Sequence, residues 1–317
     1  SGKCVRMDSK LIGSNIARQS RYELIHTTLV KFLKTCTLSD LSPEQEERAK
    51  EYLKEDSSKT VYRSDSDTLQ SNLARIGNFI MEMLATFPAT SPAHDLLQRL
   101  FDEQYAVKDG KAVLRDKKEV KADSLQNPND PDATYRAKND QKVQGYVTNI
   151  TETVEEGKPN IITSVQVETA VFADCHFLQE AVENSERVTD STIEDLYADG
   201  AYQSPDNREF AKNHNAMQLK TGKMQGGCRW ELIPHDEDGL TIREIATGNT
   251  YEAIKAVTKQ GSRKRWRIPW NNKTGWRYFE DKDIKAYQLR KQIESLPLEE
   301  QHKRNNVEAA MFQYSFH

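Results

Sequence analysis

Three acids stand out for the chemistry they could do together. Asp8 lies in VRMDS, Asp199 in LYADGAY and Glu308 in KRNNVEAAMF. A carboxylate within an apolar strand is costly unless it meets a cation or a hydrogen-bond donor. The flanks of Asp8 read as such a strand, and Asp199 closes a short apolar run just before Gly200. Glu308 follows Arg304 by four residues, so the two would share one helix face. Carboxylates drawn from two strands and a packed helix suit Mg2+ or Mn2+, which prefer oxygen ligands. Two such ions activate a water or a 3′-hydroxyl and stabilise the leaving oxygen in phosphoryl transfer. Each acid also has a plainer reading. Asp8 could pair with Arg6 or Lys10, Asp199 could simply form an Asp-Gly turn, and Glu308 could make an i,i+4 pair with Arg304, worth only ~0.3–0.5 kcal/mol.

A second cluster points to nucleic acid. The segment GSRKRWRIPWNNKTGWRY (261–278) interleaves Arg263, Lys264, Arg265, Arg267 and Arg277 with Trp266, Trp270 and Trp276. Cations hold phosphates and aromatic faces stack on unpaired bases. On this reading Arg263, Lys264, Arg265, Trp266 and Arg267 contact DNA. The competing reading is a solvated basic strand with its tryptophans packed inward. The chain as a whole carries a formal charge of −4, so any attraction for DNA is local. Residues 259–291 hold eleven Lys or Arg against three acids, a local balance of +8.

These groups need elements to carry them. Cys4 to Ile16 reads as a strand through Asp8. Residues 20–105 then turn helical: Tyr22, Ile25, Leu29, Phe32 and Leu33 recur at steps of three and four. Ser42-Pro43, Ser91-Pro92 and Ser204-Pro205 each read as a helix start, with Ser as cap and Pro in the first turn. Residues 107–140 are polar, and NPNDPDAT (127–134) reads as a loop or strand entry. QGYVTNITETV and NIITSVQVETAV flank a turn cluster at 155–159 and read as a hairpin. Asp174 to Glu183 suits a helix, and Ile193 to Asp199 a short strand. Trp230–Ile233 and Leu240–Ile245 are strand-like pieces, and residues 282–294 and 298–315 look helical. The outcome is an α/β fold, a mixed sheet with helices on its faces. Asp8 and Asp199 would lie near strand carboxyl ends, where open α/β sheets gather their chemistry.

Composition removes other classes. No apolar run approaches the 18 residues of a membrane span. The four cysteines form no C-x-x-C pair, which speaks against a zinc site and fits a reducing cytoplasm. No phosphate-binding Gly-rich loop is present. A chain that opens mid-strand without Met reads as a piece of a longer protein.

Four stretches carry a resemblance: VRMDSKLIGSNIARQSRYELI, then NDPDATYRAK with QGYVTNI, then ADGAYQSPDN, then KRNNVEAAMFQ. In this order, from residue 5 to residue 313, they resemble the DDE transposases of bacterial insertion sequences. The resemblance implies an RNase H-like fold and metal-dependent DNA cleavage and strand transfer at insertion-sequence ends. It also implies two Mg2+ ions (Mn2+ substituting), a homodimer assembled on DNA, and a cytoplasmic, nucleoid-associated protein. It maps the family's two aspartates onto Asp8 and Asp199, its glutamate onto Glu308, and its arginine four residues earlier onto Arg304. Where many relatives have Tyr and Lys around that helix, this chain has Gln301 and Ser315. The helical region that precedes the first strand in relatives is missing.

Asp130 and Asp132, in NDPDA, rival Asp8 as the first ligand. Asp8 is preferred because Pro128 and Pro131 discourage a strand there. The expected layout has the first strand of the RNase H-like core in residues 1–19 and a helical insertion in 20–126. The core resumes over 127–217, a β-rich basic insertion fills 218–281, and C-terminal core helices occupy 282–317. The alternative function is a domesticated or inactive relative that binds DNA without cutting it.

Overall fold

Val5, Arg6 and Met7 are buried to 2% exposure or less. They form the first half of strand β1 (Cys4–Gly13). A strand buried on both faces has this unbroken run rather than alternation. The computed structural model describes residues 2–89, 91–138, 141–221, 228–235, 239–256, 264–270, 275–299, 303 and 311–312. The chain divides into two compact units. One comprises residues 1–8, 150–164 and 174–317, and the other residues 9–149 and 165–173.

In the first unit β1 runs parallel to β7 (Asp195–Ala198), and β7 parallel to β8 (Gln218–Thr221). Leu196, Tyr197 and Ala198 of β7 are all buried. Two further strands, β5 (Gln141–Thr153) and β6 (Ile162–Thr169), contribute their residues 150–153 and 162–164 to this unit and complete the order β6-β5-β1-β7-β8. Helix α6 (Leu178–Thr189) buries Leu178, Ala181, Val182 and Ser185, a stripe of one helix face. Ser185 shares a 2.7 Å hydroxyl hydrogen bond with Thr163 of β6, which seats the helix on the sheet. Helix α7 (Pro205–Asn213) starts where Ser204 accepts the Asn207 backbone N–H at 3.1 Å. The architecture is thus mixed α/β, with helices flanking a mixed sheet.

The same unit carries two small antiparallel sheets. One has β9 (Trp230–Pro234), β10 (Leu240–Glu244) and β11 (Thr250–Glu252). The other has β12 (Ile254–Ala256), β13 (Arg265–Trp270) and β14 (Gly275–Glu280). Helix α8 (Asp281–Glu294) follows, and Trp230, Leu232, Ile242, Trp266, Phe279 and Ile284 share one core.

The second unit is chiefly helical: α1 (Arg21–Leu33), α2 (Pro43–Lys54), α3 (Ser57–Arg63), α4 (Ser66–Thr86) and α5 (Pro92–Gln104). Ser20 and Ser42 form reciprocal capping boxes with Glu23 and Gln45, and Ser91 caps α5. Tyr22, Leu29, Ile76, Phe79, Ile80 and Leu100 lie in its buried core. Residues 107–140, polar in composition, hold one hairpin that the sequence reading did not name, and the 127–134 segment leads into a strand as its strand-entry reading expected. Strands β2 (Tyr105–Lys108) and β3 (Lys111–Leu114) form the hairpin, and β4 (Thr134–Lys138) follows the loop and pairs antiparallel with residues 141–145 of β5. The hairpin turns on Asp109-Gly110, both at positive φ (50° and 72°), the backbone that Asp-Gly supplies in tight hairpins.

Candidate functional site

Parallel pairing brings the first two acids to matching positions. Strands β1 and β7 register Cys4 with Asp195, Val5 with Leu196 and Arg6 with Tyr197. Asp8 and Asp199 each lie two residues beyond the Arg6–Tyr197 pair, on chains running the same way. Neighbouring strands are about 4.8 Å apart, so the two carboxylates emerge from adjacent backbones. Both residues are half-buried. Asp199 also does what the turn reading expected: its Oδ1 accepts the Ala201 backbone N–H at 2.7 Å and caps the short turn Gly200–Tyr202. A carboxylate has capacity for several more partners.

The anchor beneath this pair is Arg6. Its guanidinium meets the Glu152 carboxylate at 2.6 Å, with both side chains buried. Its Nη1 donates to the Lys303 carbonyl at 2.8 Å. The Lys303 ammonium lies 5.6 Å from the centroid of the Tyr197 ring. Lys303 is therefore held against the two strands that carry the aspartates. Its N–H donates to the Glu299 carbonyl at 3.1 Å, a helical spacing. Farther on, Met311 is helical and buried. Glu308 and Arg304 themselves lie outside the described residues. Among the described residues, no group of three or more His, Cys, Asp or Glu side chains is arranged to hold a metal. The donors present at Asp8 and Asp199 are carboxylate oxygens, the type that Mg2+ and Mn2+ take.

The rival acids belong to a different setting. Asp130 accepts hydrogen bonds from the Ser14 hydroxyl and, at 2.5 Å, from the Tyr146 hydroxyl. Partial burial opposes its ionisation, but these hydrogen bonds win and hold its carboxyl below the usual range. The same hydrogen bond, with desolvation, pushes the Tyr146 hydroxyl up to about 12. Asn127 donates to the Ala17 carbonyl at 3.1 Å from the same loop. Asp130 thus ties the 127–133 loop to the strands beside it, while Asp132 is exposed.

The basic segment splits by strand alternation. Trp266 and Ile268 of β13 point into the core, and Trp266 is only 3% exposed. This corrects the expectation that Trp266 offers a stacking face to DNA: its ring packs in the core it shares with Trp230, Ile268 and Phe279. Arg265 and Arg267 point the other way. The Arg265 guanidinium stacks 4.0 Å from the Tyr278 centroid, and Arg267 4.2 Å from Trp276. Trp276 and Tyr278 are 44% and 39% exposed, so the open aromatic faces of this sheet are theirs. Lys264 is exposed at the strand entry, and Arg263 lies outside the described residues. A guanidinium stacked on a ring is held in one orientation by it, and its planar fork suits the paired oxygens of a phosphate. The signal for Tyr278 and Trp276 was the period-two pattern itself, with Arg265 and Arg267 on one parity and Trp266 and Ile268 on the other.

Among the described residues, no helix is long and apolar enough to cross a membrane. No known family, curated protein or solved structure gives a significant match to this chain.

Proposed function

We propose that this chain is the catalytic core of a DDE-type transposase, cutting DNA and joining strands with the help of divalent metal. The observation that carries the reading is the equivalent placement of Asp8 and Asp199 beyond a registered pair of parallel strands. The strand order β6-β5-β1-β7-β8, with β1, β7 and β8 parallel, supports an RNase H-like core. Lys303, held by Arg6 and beside Tyr197, supports delivery of Glu308 to the same pair of acids.

Asp8, Asp199 and Glu308 would hold two Mg2+ or Mn2+ ions. Such ions supply an activated hydroxyl nucleophile and charge stabilisation at the phosphate. The protein's own part is to hold carboxylates and DNA in fixed relation. Arg6, paired with Glu152, keeps β1 and the chain near Lys303 in place. Lys264, Arg265 and Arg267 grip the DNA backbone, Trp276 and Tyr278 orient the two stacked guanidiniums, and Arg304 lies beside a phosphate. The working assembly is a homodimer on DNA.

Nicking of supercoiled plasmid in Mn2+ tests this reading. Cleavage by the wild type, lost in Asp8→Asn, Asp199→Asn and Glu308→Gln, would support it. DNA binding without cleavage in saturating Mn2+ would favour the inactive, DNA-binding relative. Loss of activity in Asp130→Asn with full activity in Asp8→Asn would transfer the first-ligand role to Asp130.

A further inference from the structure

Three arginines from three different segments line one cleft in the first unit: Arg229 just before β9, Arg277 in β14 and Arg290 in α8. The cleft has a volume of about 280 Å3 and an apolar wall that includes Trp230, Leu232 and Phe279. Its lining holds one carboxylate among the described residues, Asp283. One oxygen of Asp283 is already committed, accepting the Glu280 backbone N–H at 2.7 Å as the cap of α8.

Two of the three guanidiniums meet an acid that stands outside the cleft lining. Arg229 reaches Glu244 at 3.1 Å and Arg290 reaches Glu294 at 3.2 Å, but neither glutamate lines the cleft. Glu231 accepts from the Tyr287 hydroxyl at 3.1 Å and lies 3.5 Å from Arg243. Arg277 has no acidic partner among the described residues; its guanidinium lies 5.9 Å from the Phe279 centroid. Arg277 is thus the cleft guanidinium still open to a charged partner, and attraction for an anion is stronger beside an apolar wall than in open water. An anion in the cleft would supply that partner. Guanidinium forks match the oxygens of a phosphoryl group, which accept paired N–H donors.

We propose that the Arg229–Arg277–Arg290 cleft is a seat for a phosphoryl group, built from none of the residues assigned to cleavage. Two sources share this chemistry: an internal phosphodiester of a DNA strand and a free phosphomonoester. The inference stands apart from the carboxylate reading, because it concerns binding and needs no metal.

The test is a phosphorus NMR titration of the full chain at constant ionic strength, with chloride as the control anion. Inorganic phosphate, thymidine 5′-monophosphate and the dinucleotide d(TpT), which has only an internal diester, are the probes. Saturable binding is expected, weakened about tenfold or more in Arg277→Gln and in Arg290→Gln, since each removes a charge-assisted hydrogen bond. Arg277 is exposed, so its variant should keep the wild-type circular dichroism spectrum. Tighter binding of d(TpT) than of the monophosphate would identify a strand backbone as the occupant. The reverse order would identify a free phosphomonoester. No saturable binding of any probe, or unchanged affinity in the folded Arg277→Gln chain, would overturn the proposal. Plasmid nicking reads the carboxylate site separately, so failure of one proposal is distinguishable from failure of the other.

Discussion

Arg6 and Glu152 meet at 2.6 Å with side chains 3% and 7% exposed, joining β1 to β5 two residues before Asp8. Removing one partner of such a pair leaves the other buried and uncompensated. Arg6→Met is therefore expected to cost about 3–5 kcal/mol, read as a lower urea midpoint. The double variant Arg6→Met/Glu152→Leu should recover much of that loss, because no lone charge remains. Cleavage should stay impaired in the double variant, because Arg6 also holds the Lys303 carbonyl.

For the carboxylates, the expected signature is loss of activity without loss of fold. Changing residues that merely support a metal ligand typically costs 10–100-fold, so Asp8→Asn and Asp199→Asn should each lose on the order of 100-fold or more. Circular dichroism should be unchanged. A nicking rate within threefold of wild type for Asp199→Asn would reduce that residue to the turn cap it visibly is.

On the basic face, Arg265→Gln and Arg267→Gln should weaken DNA binding broadly across sequences. Each neutralised phosphate contact should flatten the dependence of log affinity on log salt by roughly 0.7–0.9. Trp266→Ala should behave differently. It empties a core position and is expected to cost about 3–5 kcal/mol of stability. A folded Trp266→Ala chain whose sole defect is DNA affinity would count against the packing assignment.

The helical unit should be sensitive to mild acid through His26. Burial holds its imidazole below the usual range, outweighing the nearby Glu55 carboxylate at 3.6 Å and the hydrogen bond to the Tyr52 carbonyl at 3.0 Å. The folded state then binds the proton less readily than the unfolded chain. This contribution to stability is fully present above the ordinary histidine value, about 6.5, and is lost as pH falls through the folded value. Urea midpoints should drop as pH falls below about 6.5. His26→Gln, which keeps a donor for Tyr52, should flatten that drop.

Gly145 marks a place where two backbones nearly touch. A Cβ there would lie 2.2 Å from the Ile12 carbonyl oxygen and 2.6 Å from the Ser14 nitrogen. Backbone cannot swing aside as a side chain does, so Gly145→Ala should destabilise by about 1–3 kcal/mol or more. A thermal melt within a degree of wild type would show that the close approach is not needed.

The sequence determined by itself what depends on neighbours along the chain. Ser42-Pro43, Ser91-Pro92 and Ser204-Pro205 mark helix starts because a cap satisfies backbone N–H groups two or three residues away. The strand through Asp8 was legible in its β-branched and apolar flanks. The β2–β3 hairpin went unread: Asp109-Gly110 carries its turn signal, but its strands are short and half-exposed, so their composition reads as merely polar. Only the tertiary structure decided what depends on distant partners. Registration of β1 with β7 aligns Asp8 with Asp199 across the intervening chain, and Arg6 finds Glu152 146 residues away. The facing of Trp266 was likewise undecided by alternation alone, which separates two parities without saying which one meets a core. Packing on Trp230, Ile268 and Phe279 chose the inner one and left Arg265 and Arg267 outside, stacked on Tyr278 and Trp276.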